Sequence, residues 1–244
     1  MTDAPLNELL RSSINVVEKD PNENAWQESA DFMDRLIAEL SEGADFSSLE
    51  AVDISYNLPY EEAVKHYPKQ VVAIIALNQP TWAKVWSGNI DPESNLIAAK
   101  RSAGRWGGET WAVPMGTIED TDIQTPDSPL GNVIGSAAKR ELDEEVTRES
   151  IAERGLIASS FLDKKTGKLI HVIFTEILES PINRTSLSVG LPDTREHESL
   201  GWIKFKDFTK LSPVTDNVKF LFVSALKYVR GVNQDLSASF KPAL

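Results

Sequence analysis

The sequence contains no cysteine among its 244 residues. This absence excludes disulfide bonds, thiolate metal sites and any cysteine nucleophile. The longest uninterrupted apolar run is Val71–Leu77, which is far too short to span a bilayer. Residues 1–20 lack a basic start followed by an apolar stretch, so we expect no secretory signal and no membrane segment, and we place the protein in the cytoplasm.

Basic residues are also scarce, with 25 Lys and Arg against 37 Asp and Glu, for a net charge of −12. Since nonspecific binding to nucleic acid needs a cationic surface, we expect no long nucleic acid as a partner. Residues 1–50 contain twelve acidic and three basic residues, so they carry −9 of this charge. An acidic extension of this kind is typical of a role in solubility or partner contact.

The hydrophobic pattern divides the chain into an N-terminal extension over 1–69, a main domain over 70–234 and a tail over 235–244. Apolar residues recur at three- or four-residue steps over 25–42, which predicts an amphipathic helix ending at Gly43. In the main domain the β-branched run Val71–Leu77 predicts a buried strand. Further predicted strands are 95–100, 110–114, 157–163, 169–178 and 199–205, and further predicted helices are 6–17, 60–66, 133–151 and 215–229. The fold class is therefore mixed α/β.

Three carboxylates on the helix predicted over 133–151 form the first candidate site. Glu141, Glu144 and Glu145 are spaced i, i+3 and i+4, which places them within an arc of about 100°. Such a cluster repels itself at neutral pH, and a hard divalent cation such as Mg²⁺ removes that penalty. A solvated acidic face is the alternative, and it is the favoured interpretation of the three glutamates taken without their surroundings.

The surroundings resemble the Nudix family. Arg140-Glu141-Leu142-Asp143-Glu144-Glu145 is similar to the core of the Nudix box, and Trp111-Ala112-Val113-Pro114-Met115-Gly116 is similar to the lead-in of that box. Leu96–Arg101 resembles the strand before it, and Glu198 followed by Trp202 resembles the acidic residue and strand after it. The resemblance implies a Nudix fold, a mixed sheet sandwiched by helices, which here follows an N-terminal helical extension.

Three departures from the family pattern concern the loop before the helix and the helix end. Gly116 and Arg140 are 24 positions apart, which is longer than the family spacing and marks an insertion around residues 120–130. Asn132 stands where the family has a glutamate, and Asp122 is a carboxylate that could reach the same place. Thr147 stands where the family has a glycine that ends the helix.

The resemblance also implies roles for the residues that match the box. Glu141 and Glu145 would be metal ligands, Glu144 a further ligand or a base, and the carbonyl of Gly116 a backbone ligand. The implied metal is Mg²⁺, with Mn²⁺ as a substitute. Arg140 would orient a glutamate through a charge-assisted hydrogen bond.

Other candidate residues lie outside the box. Glu198 is the preferred distant acid for catalysis, with Glu196 as the alternative. Arg101 and Arg105 could contact phosphates, and Trp106 could stack on a base, although surface and packing roles are the alternatives for all three.

The sequence is compatible with two functions. The first is a Mg²⁺-dependent pyrophosphohydrolase that cleaves the diphosphate linkage of a nucleoside diphosphate derivative or a nucleoside triphosphate. The second is a non-catalytic, regulatory domain that binds a nucleotide-like small molecule. An isoprenoid diphosphate isomerase is excluded because the chain lacks the cysteine which that activity requires. The N-terminal helix could dock on the domain, cover the active site or form a homodimer.

Overall fold

The computed structural model describes residues 23–78, 85, 88–102, 109–145, 151–177 and 197–239. The helices within these residues are α1 (Glu23–Ser41), α2 (Tyr60–His66), α3 (Leu130–Glu145) and α4 (Asp216–Ser239). The strands are β1 (Leu49–Ala51), β2 (Gln70–Asn78), β3 (Asn95–Arg101), β4 (Trp111–Ala112), β5 (Met115–Thr117), β6 (Ile151–Asp163), β7 (Lys168–Ile177) and β8 (His197–Lys204). Short 3-10 turns occupy Asp120–Asp122 and Phe205–Lys210.

The strands form one mixed sheet in the order β1-β6-β7-β2-β3-β4, with β5 paired to β2 and β8 paired to β3. The central pair β2 and β7 is parallel from Gln70↔Leu169 to Asn78↔Ile177, whereas the other pairings between described strands are antiparallel. A central strand is covered on both faces, which accounts for the continuous apolar run of β2. The mixed α/β fold class predicted from the sequence is confirmed.

Helices cover both faces of this sheet and form two separate apolar layers. On one face, α1 and α4 pack side by side against β2, β3 and β7, and Arg230 of α4 donates to Asp34 of α1 at 3.1 Å. On the other face, α2 and α3 pack against the opposite side chains of the same strands. The apolar face of α1 contributes Phe32, Met33, Leu36 and Leu40 to the first layer. Within the described ranges, no helix has both the length and the apolar character needed to cross a membrane.

Most predicted elements are confirmed, but several boundaries are wrong. The strand predicted over 157–163 begins at Ile151, and the helix predicted over 215–229 extends to Ser239. Helix α3 ends at Glu145 in its described part, and Ile151 begins β6, so the prediction of helix as far as 151 is wrong because Ile151 pairs with Ile177. The strand predicted over 110–114 is two short strands, because Pro114 between them has no N–H to give to a ladder. The helix predicted over 6–17 lies outside the described residues.

A buried histidine links three strands of the sheet through a continuous chain of hydrogen bonds. The Nε2 and Nδ1 atoms of His171 lie 2.9 Å from Gln70 Oε1 and 2.7 Å from Ser160 Oγ, respectively. Because the amide nitrogen of Gln70 donates to the Tyr67 carbonyl, its Oε1 is the acceptor, so Nε2 of His171 carries the proton. Ser160 therefore donates to Nδ1 and accepts from the Tyr56 hydroxyl at 3.0 Å. The network is complete only with a neutral imidazole.

We expect acid to destabilise the protein through His171. Burial lowers the pKa of His171 to about 3, well below its value of about 6.5 in an unfolded chain. The unfolded state therefore binds the proton first as the pH falls, and stability is lost between about pH 6.5 and pH 3. The expected loss between pH 7 and pH 5 is about 2 kcal/mol in the free energy of unfolding.

Urea unfolding at both pH values measures this loss. His171→Gln removes the titrating group, so it should be less stable at pH 7 but lose about 2 kcal/mol less on acidification. An equal loss in both proteins would show that other groups cause the acid sensitivity.

Candidate active site

Helix α3 presents both an apolar face and a carboxylate face to the rest of the domain. Its apolar side chains, which include Val133, Ile134 and Leu142, are buried against the sheet. Glu141 and Glu145 are one turn apart on the adjacent face and are also buried, at 7% and 3% exposure. Glu144 lies one position away and its side chain is 56% exposed. The helix therefore holds two buried carboxylates beside one that reaches solvent.

Gly116 lies directly against the carboxyl group of Glu141. It belongs to β5, where it pairs with Val72 of the central strand. A Cβ atom built on Gly116 would lie 1.6 Å from Cδ of Glu141, so the Glu141 carboxyl group would have to shift for any larger residue. The glycine at the end of the lead-in segment thus leaves the space that this carboxyl group occupies.

Arg140 joins the carboxylates to the loop that precedes the helix. Its Nε and Nη2 atoms donate to the two carboxylate oxygens of Asp122, both at 3.0 Å. Nη1 donates to Glu141 at 2.7 Å and to Glu144 at 3.4 Å, and Nη2 also donates to the Thr117 carbonyl at 2.8 Å. These five bonds match the five donors of a guanidinium, so Arg140 acts as a fixed clamp.

Asp122 is the buried partner that the insertion supplies to this clamp. Its exposure is 3%, and it also accepts from the backbone N–H of Glu119 at 2.8 Å, which ties it to the 3-10 turn. Its hydrogen bond raises the pKa of Arg140 above the ordinary value, against the opposing effect of burial. Counting six positions from Gly116 leads to this residue, and the longer loop does bring it to the helix.

The electrostatics of the cluster favour an added cation. The pKa of Glu141 is raised to about 7, mainly by burial; Arg140 acts to lower it, and the charges of Glu145 and Glu144 act to raise it. Oε2 of Glu145 is buried and accepts no hydrogen bond from a described residue, although another interaction engages that side chain. Of the three helix carboxylates, Glu141 and Glu144 accept hydrogen bonds from Arg140.

Oxygen ligands of this kind fit a hard divalent cation. Among the described residues, however, no three Asp, Glu or His side chains are already grouped around one point. The two buried carboxylates, Glu141 and Glu145, supply part of such a set. Glu144 is held by one hydrogen bond of 3.4 Å, so its exposed carboxylate is the oxygen donor that can turn toward them.

Of the remaining candidate site residues, the structure describes Arg101 and the backbone of Glu198. Arg101 is half-buried at the end of β3, where it pairs with His197 of β8. The register shifts between Lys100 and Arg101 and skips Glu198, so the backbone of Glu198 lies at a β-bulge. Glu196, Arg105 and Trp106 lie outside the described residues.

Sequence reasoning missed the contact between the N-terminal extension and the start of α3. Backbone groups of Tyr56 and Leu58 accept hydrogen bonds from Gly131 and Leu130. No local pattern signals this contact, because it joins backbone groups more than 70 positions apart in the sequence.

No family model matches the chain, and no curated protein matches it. Many solved structures do match, at low sequence identity, and they include several Nudix proteins. A NUDIX hydrolase from Alicyclobacillus acidocaldarius is 11% identical with a TM-score of 0.43, over 70% of this chain and 95% of that one. The NUDIX domain of Shewanella oneidensis NrtR, solved with ADP ribose, is 11% identical with a TM-score of 0.40, over 65% and 86%.

A MutT/nudix family protein from Enterococcus faecalis is 16% identical with a TM-score of 0.36. That match covers 55% of this chain and 42% of the Enterococcus protein. These solved structures thus come from the same family that the Arg140–Glu145 motif resembles.

Proposed function

We propose that the protein is a Mg²⁺-dependent pyrophosphohydrolase of the Nudix type, which cleaves the diphosphate linkage of a small nucleotide-like substrate. The observation that carries the proposal is the packing of the Glu141 carboxylate against Gly116, with Arg140 fixing it from the other side. A solvated acidic face would not bury two glutamates beside a glycine that leaves room for one of them. The arrangement therefore favours a ligand site over the alternative of a surface charge cluster.

In this proposal Glu141 and Glu145 hold Mg²⁺, with Glu144 and the Gly116 carbonyl as further oxygen donors. The cation would neutralise phosphate oxygens and lower the pKa of bound water. Arg140 keeps Glu141 in one orientation, so the buried carboxylate does not have to reorganise when substrate binds. As the alternative to this ligand role, the exposed Glu144 carboxylate is suited to act as the base that accepts a proton from water.

The substrate is proposed to be a nucleoside diphosphate derivative or a nucleoside triphosphate. Arg101 and Arg105 would contact phosphates and Trp106 would stack on the base. Glu198, at the β-bulge opposite Arg101, is proposed as the distant acid, since bulges often re-aim a residue beside a site. The net charge of −12 disfavours long polyanions.

A substrate panel tests this function. We expect purified protein with Mg²⁺ to hydrolyse at least one nucleoside diphosphate derivative or triphosphate, with products separated by ion-exchange chromatography. Chelation of the metal should abolish the activity, and Mn²⁺ should restore it in part. Nucleotide binding without any turnover across the panel would replace hydrolysis with the non-catalytic, regulatory function.

A further inference from the structure

A short segment of the N-terminal extension holds the loop and the helix that form the candidate site. We call residues 56–60 the N-terminal brace. The backbone N–H groups of Leu130 and Gly131 donate to the carbonyls of Leu58 and Tyr56, each at 2.8 Å. The N–H of Tyr60 donates in return to the Ser128 carbonyl at 2.9 Å. These three bonds connect the brace to the end of the inserted loop and to the first turn of α3.

The brace supplies hydrogen-bond acceptors to the first turn of α3. The first N–H groups of a helix have no partner within the helix. Carbonyls of the brace accept two of them, where a capping side chain would serve in other helices. A Cβ atom on Gly131 would lie 3.3 Å from the Tyr56 carbonyl, which shows how closely the two backbones approach.

The loop held in this way carries Asp122. Ser128, which the brace binds, is buried and is tied through its hydroxyl to the N–H of Thr125 at 3.0 Å. Tyr60 is half-buried, and burial together with the charges of Asp120 and Asp122 raises its pKa. The brace therefore lies beside the turn that presents Asp122 to Arg140.

We propose that the N-terminal brace is a positioning element for the active site, acting through Asp122 and Arg140 on Glu141. This inference rests on the proposed function. With the loop held, Asp122 accepts two of the five hydrogen bonds of Arg140. With the loop released, the Nε–H and Nη2–H groups of Arg140 lose Asp122 as their acceptor. They then bind Glu141 and Glu144, the carboxylates needed for the cation. Loss of the brace thus weakens the site through competition for oxygen ligands.

Tyr60→Pro removes the N–H that binds the Ser128 carbonyl. The backbone conformation around residue 60 is compatible with proline. Tyr60 is the first residue of α2, a position that proline tolerates because its N–H has no helical partner. Pro59 has φ −54° and ψ 137°, the extended conformation that a residue before proline requires. Tyr60→Ala is the matched control, because it removes the same side chain and keeps the N–H.

We expect Tyr60→Pro to have a kcat about 10- to 100-fold below that of Tyr60→Ala, with a raised Mg²⁺ requirement. In an Asp122→Asn background the difference between the two substitutions should vanish, because the proline acts through Asp122. Leu36→Ala, which truncates a buried side chain of α1 on the opposite face of the sheet, controls for a general loss of stability. Equal kcat values for Tyr60→Pro and Tyr60→Ala would overturn the proposal, and so would a loss that persists in full with Asp122→Asn.

A second measurement needs no substrate. Hydrogen exchange of the Arg140 Nε–H, followed by NMR, reports the bond to Asp122 directly. We expect exchange to be at least about tenfold faster in Tyr60→Pro than in Tyr60→Ala. An inactive wild type would refute the proposed function alone, whereas unchanged Nε–H exchange would refute the brace.

Discussion

Glu145→Gln is expected to lower kcat about 10²- to 10³-fold while leaving the fold intact. The substitution keeps the size of the side chain and removes its charge, so the buried site loses an anionic ligand without gaining a cavity. Since Glu145 also raises the pKa of Glu141 through repulsion, removing its charge relieves that repulsion. Without Mg²⁺ we therefore expect a thermal midpoint equal to or above that of the wild type. Steady-state kinetics over a Mg²⁺ titration, with thermal denaturation of the same samples, measures both effects.

Asp143→Asn is the matched control for this substitution. Asp143 lies on the same helix and pairs with Lys139 at 3.0 Å, outside the proposed ligand set. We expect its kcat to stay within about twofold of the wild type, because an exposed ion pair contributes little. Full activity in Glu145→Gln would remove Glu145 from the site.

Gly116→Ala is expected to disrupt the proposed site. The new Cβ would overlap the Glu141 carboxyl group, at 1.6 Å from Cδ. Either the side chain leaves its position or β5 moves away from α3, and both outcomes break the proposed site. We expect at least about a 100-fold loss of kcat and about 1–3 kcal/mol less stability from overpacking, measured by kinetics and urea unfolding.

Two companion variants identify the cause of this loss. Gly135→Ala adds the same methyl group to α3, where nothing lies within 4 Å, and should raise stability by about 0.5–1 kcal/mol. In a Glu141→Ala background, Gly116→Ala should cost little further stability, because the group it strikes is gone. If Gly116→Ala still lowered stability by the full amount in that background, the glycine would be needed for the structure of β5 rather than for the contact with Glu141.

The helices and long strands follow from local pattern. Apolar spacing predicts α1 and α4, and the run Val71–Leu77 predicts β2, since each pattern reflects burial of one element face. Gly43 and Gly167 mark chain reversals and have φ values of +66° and +67°, which residues with a Cβ atom adopt rarely. The four-residue spacing of Glu141 and Glu145 likewise requires that a helix carry them on one face.

The contacts between elements follow from no such pattern. The loop of Asp122 is longer than in the family that its surroundings resemble, so spacing alone could not place its carboxylate on Arg140. The brace binds α3 through backbone groups, which carry no residue signature. Strand β1 is three residues long and forms because Phe161–Asp163 of β6 offers it an edge, which no local propensity encodes.

The pairing of α1 with α4 has a consequence for synthesis of the chain. Asp34 and Arg230, which bond across these helices, are 196 positions apart. At about 5–20 residues per second, a ribosome needs roughly 10–40 seconds between them. Throughout that interval the apolar face of α1, with Phe32, Met33 and Leu36, has been made but its partner helix has not. The nascent protein therefore exposes the apolar face of α1 during that interval, and synthesis of α4 supplies the helix that covers it.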